Sequence, residues 1–330
     1  MRKTPLTAIA AMVAAAGLAL AGCAAGADSG GDESAAEELI IASVAGSTGD
    51  TALSLAQEHG IFEDAGFVLK RVTVQNAPAA LAAAQSGQVD IAYAPSIPLL
   101  NAILRGVPLH IVMAADGFKD DALQQSDLSK VDDTSLYASK ASGITEVSQL
   151  KGKTIAIPAR SGQFEVVVTN ILKENGIGAD EVNWVVLDYQ SAVNALKTGD
   201  VDAATLLTTF SAQAAQAGMT YVTSPSVKFF ERGAVGLWSA GSKLAADKER
   251  VAKIQRVIVE ANKYANEHTA EAKKKSIELT GAKVSADEMV DPFWPLTVDT
   301  ADIARVNKRL VALGFLPKAV DLDGVILPQP

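Results

Sequence analysis

LAAAQSGQVDIAYAPS at residues 81–96 and VNALKTGDVDAATLLT at residues 193–208 follow one pattern. Each runs from a helix end through a glycine and one polar residue to Val-Asp and a short apolar strand. Gly87 and Gly199 are separated by the same offset as Asp90 and Asp202. Alanine and leucine recur at helical spacing before each glycine, and glycine ends a helix by taking the left-handed conformation that other residues resist. The residues after Val-Asp, Ile91 to Tyr93 and Ala203 to Leu207, are mostly small or apolar, as in a strand covered on both faces. A polar turn, Pro95-Ser96 or Thr208-Thr209, then opens a new helix. Each copy reads as the helix-to-strand half of a βαβ unit.

The surroundings of the two copies agree with that reading. Strands are expected at residues 39–42, 68–74 and 109–115 around the first copy, with helices between them. Pro78 falls in a first helical turn, where its missing N–H costs nothing. Residues 116–133 are polar and charged without a clear period. A second alternating series follows, with strands at 135–139, 154–157 and 184–187, a helix at 164–174 and a last strand near Tyr221. Such alternation predicts an α/β protein whose sheets are mostly parallel and flanked by helices. Residues 233–239 read as one more strand, and residues 247–267 as a long amphipathic helix with Val251, Ile254, Val257, Ile258 and Ala261 on one face. The helical remainder has no sheet of its own, so it is expected to pack on the first. Lobe 1 is then residues 39–136 completed by 234–330, and lobe 2 is the insertion 137–233.

The first residues are an address. Arg2-Lys3, an apolar run from Leu6 to Leu20 and small residues before Cys23 read as a secretory signal over residues 1–22. Leu20-Ala21-Gly22-Cys23 resembles the bacterial lipobox, in which the cysteine is lipidated and becomes the mature N-terminus. An ordinary signal with an incidental cysteine is the other reading. Residues 23–38 are then a lipidated N-terminus and a flexible Gly-, Ser- and acid-rich tether. Cys23 is the only cysteine, so no intrachain disulfide is possible. Net charge is −9, which repels phosphate backbones and argues against nucleic acid as a partner.

In parallel sheets ligands bind at the carboxyl ends of the strands. The turns expected there hold Ser47 and Thr48, Asn76, Ser96, Arg160 with Ser161 and Gly162, Asp188, and Thr208 with Thr209. Nearly all join a small hydroxyl or glycine to a helix start, where free N–H groups and a partial positive charge suit an anion. Ser and Thr are also the ordinary caps of helices, so each turn alone reads sooner as a cap, whereas the set together reads as an anion-accepting cleft. Arg160 is the single cation among these turns and would grip a carboxylate, sulfonate or phosphate; otherwise it is a solvated loop residue. Asp188 suits an ammonium or hydroxyl, or else a cap. Phe164 and Phe210 begin helices facing the same cleft and either stack on a ligand or belong to the core. His59, His110 and His268 are far apart, and no metal, phosphate-loop or nucleophile-elbow motif occurs. The chain reads as a binder with no cofactor and no metal, not as an enzyme.

Three passages carry a resemblance. They are the first copy with RGVPL at residues 105–109, ITEVSQLKGKTIAIP at residues 144–158, and the second copy. With them the sequence resembles bacterial ABC-transporter solute-binding lipoproteins of the nitrate, aliphatic-sulfonate, taurine and thiamine-precursor group. The resemblance implies a two-lobe, type II periplasmic-binding fold closing over one small anionic or zwitterionic ligand. It further implies a monomer, anchored outside the cell membrane, that serves an ABC permease and its ATPase. Many relatives carry a Trp-x-Pro-like segment after the second Val-Asp, where this chain has Leu206-Leu207-Thr208-Thr209-Phe210. The alternatives are an enzyme on the same fold, resembling a pyrimidine synthase, and a membrane-tethered sensor. The synthase branch uses a cysteine-rich segment, and this chain has no cysteine past Cys23.

Overall fold

Among the described residues ten strands form two five-stranded sheets. The computed structural model describes residues 36–44, 47–281 and 283–330, and Thr208 by its backbone alone. The expected signal, Cys23 and most of the tether lie outside the described residues. The strands of the first series are β1 (Glu37–Val44), β2 (Phe67–Val74), β3 (Ile91–Pro95) and β4 (Leu109–Phe118). The second series holds β5 (Thr134–Ala138), β6 (Thr154–Ile157), β7 (Asn183–Val186), β8 (Ala203–Leu207) and β9 (Thr220–Thr223), and the chain returns in β10 (Gly233–Gly241). The sheets have the orders β2-β1-β3-β10-β4 and β7-β6-β8-β5-β9. Each therefore contains one strand that arrives from the other lobe. Those two strands, β10 and β5, are the ones that pair antiparallel with their neighbours, because they enter from the side where the others end. The rest pair parallel. Tyr137 lies within β5 and Ala234 within β10.

The repeated pattern has a physical cause. Gly87 and Gly199 cap their helices at φ of 73° and 79°, so both occupy the left-handed region. Asp90 then accepts the N–H of Ile40 through Oδ2, and Asp202 accepts that of Thr154, each at 2.8 Å. Their own N–H groups return bonds to Ile40 and Thr154 carbonyls at 2.8 and 3.0 Å. In both lobes the aspartate thus fixes the register of the incoming strand against its neighbour, β1 or β6. The preceding valines, Val89 and Val201, are buried beneath. Arg250 pairs with Asp90 at 2.9 Å, which ties the long helix Lys248–Glu267 to the start of β3.

Two crossings join the lobes, residues 119–133 going out and 224–232 returning. Asp132 clamps them together: Oδ1 accepts the N–H of Thr134 at 2.9 Å and Oδ2 that of Val227 at 2.8 Å. On the return crossing Glu231 takes φ of +65°, a region that few residues other than glycine occupy. It is held there by a three-residue turn from Arg232 N–H to the Phe230 carbonyl at 2.8 Å. Arg305 donates to that same Phe230 carbonyl at 2.6 Å, and Arg309 pairs with the Glu231 carboxylate. Strain of this kind persists only where the surroundings over-determine it. Asp132→Ala is expected to lower stability by about 2 kcal/mol, since two buried N–H groups lose their acceptor. Denaturant unfolding checks this, and a variant as stable as wild type would show that water replaces the clamp.

Candidate ligand-binding site

A cavity of about 860 Å³ lies between elements of the two lobes. Lobe 1 supplies Thr48 and Thr51 from the helix Thr48–Glu58, Asp116 to Phe118 from the end of β4, and Val235 from β10. Lobe 2 supplies Tyr189 and Gln190 from the helix Tyr189–Thr198, and Thr209, Phe210, Gln213 and Gln216 from the helix Thr208–Gln216. Val131 and Asp133 come from the outgoing crossing. The remaining wall is C-terminal: the end of the helix Thr269–Thr280 and the stretch from Met289 to Trp294.

That stretch has no regular structure, yet it is pinned. The Phe293 carbonyl accepts the Gly117 N–H at 3.0 Å, and Trp294 donates its indole N–H to the Thr48 carbonyl at 3.0 Å. Asn266 exchanges two hydrogen bonds with the Trp294 backbone, at 2.7 and 3.1 Å. Asn262 bridges the carbonyls of Ala114 and Pro295 at 3.3 and 2.9 Å. On the opposite wall Tyr189 and Phe210 stack at 5.2 Å, and Phe164 meets the Tyr189 ring edge-on at 5.8 Å.

Asp116 is the most unusual group here. Its side chain is buried at 8% exposure; Oδ1 accepts the Gly236 N–H at 3.1 Å, while Oδ2 has no hydrogen-bond partner of adequate geometry. A Cβ on residue 236 would stand 2.5 Å from Oδ2, so glycine there makes the room for this carboxyl. Burial first, and then the neighbouring charge of Asp133, push Asp116 up to about 7; the Tyr93 hydroxyl and the Gly236 and Gly49 N–H groups offset part of that. Burial also raises Asp133, against the Thr134 hydroxyl that lowers it. Tyr93 and Tyr189 are raised too, chiefly by burial. No Arg or His stands among the described residues lining the cavity; Lys283 is its one cation.

Three of the residues read from the sequence line this cavity: Thr48, Thr209 and Phe210. Thr208 opens the same helix as Thr209. Ser47 caps the helix Thr48–Glu58 by accepting from the Asp50 N–H at 3.3 Å. Asn76 caps Ala79 at 3.0 Å on the surface, and Ser96 is fully buried at the start of its helix. Asp188 caps its own helix, accepting from Ser191 N–H at 2.9 Å and from its hydroxyl at 2.7 Å. Those Ser191 bonds hold Asp188 below the usual carboxylate range. Gly162 precedes the helix Gln163–Glu174, and Ser161 takes φ of 56° and donates its N–H to Glu165. Arg160 is half-exposed, paired with Glu165 at 2.7 Å and set 5.7 Å over the Trp184 ring. Arg160→Ala is therefore expected to change ligand affinity by no more than about 0.5 kcal/mol, as for a surface substitution. Calorimetry on the variant reads this, and a tenfold loss would place the guanidinium on the ligand.

Asp116, Asp133, Tyr189 and Trp294 are not among the residues expected from the sequence. Asp116 and Asp133 are the two ends of the aperiodic stretch, and Tyr189 follows Asp188 directly.

The fold is that of two-lobe periplasmic-binding proteins. One similar solved structure is the periplasmic aliphatic sulphonate binding protein SsuA from Escherichia coli, at 17% identity and a TM-score of 0.70. The likeness covers 89% of this chain and 93% of that one. Another is the alkanesulfonate-binding protein SsuA from Xanthomonas axonopodis pv. citri bound to MOPS, at 19% identity and 0.66, covering 88% and 97%. The desulfurization enzyme DSZB, as a mutant with biphenyl-2-sulfinic acid, matches at 15% identity and 0.63, covering 89% and 97%. Among curated proteins no sequence matches. No helix among the described residues is long and apolar enough to cross a membrane. The family described as NMT1/THI5 like matches residues 47–272, well over half of the sequence, and the chain belongs to that family.

Proposed function

We propose that this protein is an extracytoplasmic solute-binding receptor that delivers one small ligand, unaltered, to an ABC import permease. The observation that carries the proposal is the cavity between two lobes joined only by two crossings. Such an arrangement favours closure of one lobe on the other over a bound solute. Two constraints bear on that motion, the Asp132 clamp and the strained turn at Glu231.

Of the anionic and zwitterionic ligands expected, the zwitterionic class has more support, with taurine-like and thiamine-precursor-like compounds as its forms. Three helices begin at the cavity, at Thr48, Tyr189 and Thr208, and their first turns suit an anionic end. Asp116 and Asp133 stand in the same space and oppose a ligand that is anionic throughout. A cavity near 860 Å³ also lies in the range of sites for larger organic ligands, so nitrate would require closure to remove most of it. The likeness to a desulfurization enzyme keeps a catalytic reading open.

Native mass spectrometry of protein purified from its own cells, before and after exposure to its permease, tests the proposal. A carried small molecule that leaves unchanged in mass supports it; a product of different mass favours the enzyme. No bound solute and no ligand-dependent import would defeat it. The same spectra read the proposed lipid anchor, because acylation at Cys23 adds mass to the mature chain and Cys23→Ala removes it.

A further inference from the structure

We infer that the ligand presents a positively charged nitrogen, held at the Asp116 and Asp133 carboxylates, on a frame that lies against the stacked rings of Tyr189 and Phe210. The inference rests on the receptor reading and names the ligand class that reading leaves open.

Four features bear on it. Asp116 is more than nine-tenths buried and borders the cavity, and its Oδ2 makes no hydrogen bond of adequate geometry, with the Tyr93 hydroxyl and the Gly49 N–H as the donors beside the carboxyl. A buried carboxylate oxygen so poorly served by its donors is costly unless a ligand supplies a better one. Thr51 places a second unpartnered oxygen on the same wall, its buried Oγ1. Gly236 keeps the space for the carboxyl open, since any Cβ there would collide with it. Across the cavity the Tyr189–Phe210 pair offers flat π-surface, which attracts a cation as well as a planar frame. An ammonium or protonated ring nitrogen answers three of these: it brings donors for the Asp116 carboxyl and the Thr51 hydroxyl and sits near the aromatic rings, and it also relieves repulsion between the two carboxylates.

The carboxylates also place the nitrogen at the joint between the lobes. Asp116 lies two residues before the end of β4, where the chain leaves lobe 1, and Asp133 immediately precedes β5, where it enters lobe 2. A cation held by both favours the arrangement that brings them together, and so couples binding to closure. The titratable groups around Asp116 are Asp133, Tyr93 and Tyr189, with Lys283 and Asp291 elsewhere on the wall. Among them Asp116 is the group poised near neutrality.

Two matched pairs of compounds test the inference on the full-length protein: taurine against isethionate, and 2-phenylethylamine against 2-phenylethanol. Within each pair only a charged amine replaces a hydroxyl. Calorimetry is expected to show the amine at least tenfold tighter in one pair or both. Its affinity should rise as pH goes from 6 to 8, because Asp116 gains its charge over that interval while the amine keeps its own. Asp116→Asn should collapse the amine-to-alcohol ratio, and thermal unfolding of the variant shows that it is folded. Tyr189→Leu should weaken the phenyl pair more than the taurine pair. Equal binding within both pairs, no binding by any of the four, or a ratio that survives in Asp116→Asn overturns the inference. A natural ligand without a cationic nitrogen also overturns it and leaves the receptor reading standing. Absence of any bound solute and of import defeats the receptor reading, however the four compounds behave.

Discussion

Asp116→Asn is expected to make the ligand-free protein more stable by about 3 kcal/mol at pH 8, and by far less at pH 5. The carboxyl titrates at about 7 in the folded protein, against 3.8 for an unperturbed aspartate. Between those values the folded chain holds a proton that the unfolded chain has released. Stability therefore falls as pH rises from about 4 to about 7, by up to about 1.4 kcal/mol per unit, and levels off above. Across three units that amounts to about 4 kcal/mol, of which the unpaired amide of asparagine returns about 1 kcal/mol. The Asn side-chain oxygen can still accept the Gly236 N–H, so the fold needs no other change. Asp132 is raised by burial as well and is common to wild type and variant; Asp133 is coupled to Asp116 by charge, so the gain of the variant includes relief of the repulsion between them. Denaturant titrations of both proteins at several pH values give the comparison. Parallel stability curves between pH 5 and 8 would mean that Asp116 is charged at little cost, and that no ligand cation is needed to relieve it. A group that destabilises the empty receptor and binds in the occupied one is the trade expected of a functional site.

What the sequence made legible was local. The glycine that ends each helix and the aspartate that follows act within a few residues of the chain or on the next strand, so Gly87, Asp90, Gly199 and Asp202 stand out as a pattern. The site is assembled differently. Asp116, Tyr189 and Trp294 come from three distant segments, and each looks ordinary in its own: a strand end, a helix start and a Pro-flanked stretch. Arg160 shows the converse. As the single cation among the expected turns it invited a ligand role, but Glu165 lies in the first turn of the helix that follows. A glutamate at the third helical position is placed to reach back to the chain before the helix, and here it takes both the Ser161 N–H and the guanidinium. That signal was present in the spacing. The pairing of Asp116 with Gly236 was not, because it depends on the register of β4 against β10 across a strand irregularity.

Trp294→Ala is expected to lower stability by about 3–5 kcal/mol and to weaken binding of every ligand, charged or not. The indole is fully buried among Ala52, Leu55, Ala265 and Ala272, so it joins three helices: Thr48–Glu58, Lys248–Glu267 and Thr269–Thr280. Small alanines around a large ring leave a void that they cannot reach across, which puts the loss toward the upper end for an aromatic truncation. The indole N–H also releases the Thr48 carbonyl, at the start of a helix that opens on the cavity. Freed there, the stretch from Met289 to residue 294 remains held by Gly117, by Asn266 on the backbone of residue 294 and by Asn262 on Pro295, so the wall is expected to loosen rather than detach. Trp294→Phe separates the two contributions. It keeps most of the buried area and loses the hydrogen bond, and about 1 kcal/mol of destabilisation is expected. Unfolding by denaturant measures both variants, and calorimetry with taurine and 2-phenylethylamine measures the site. An alanine variant that loses stability while binding both compounds like wild type would show that the wall is set by Gly117, Asn262 and Asn266, with the indole serving the helices alone.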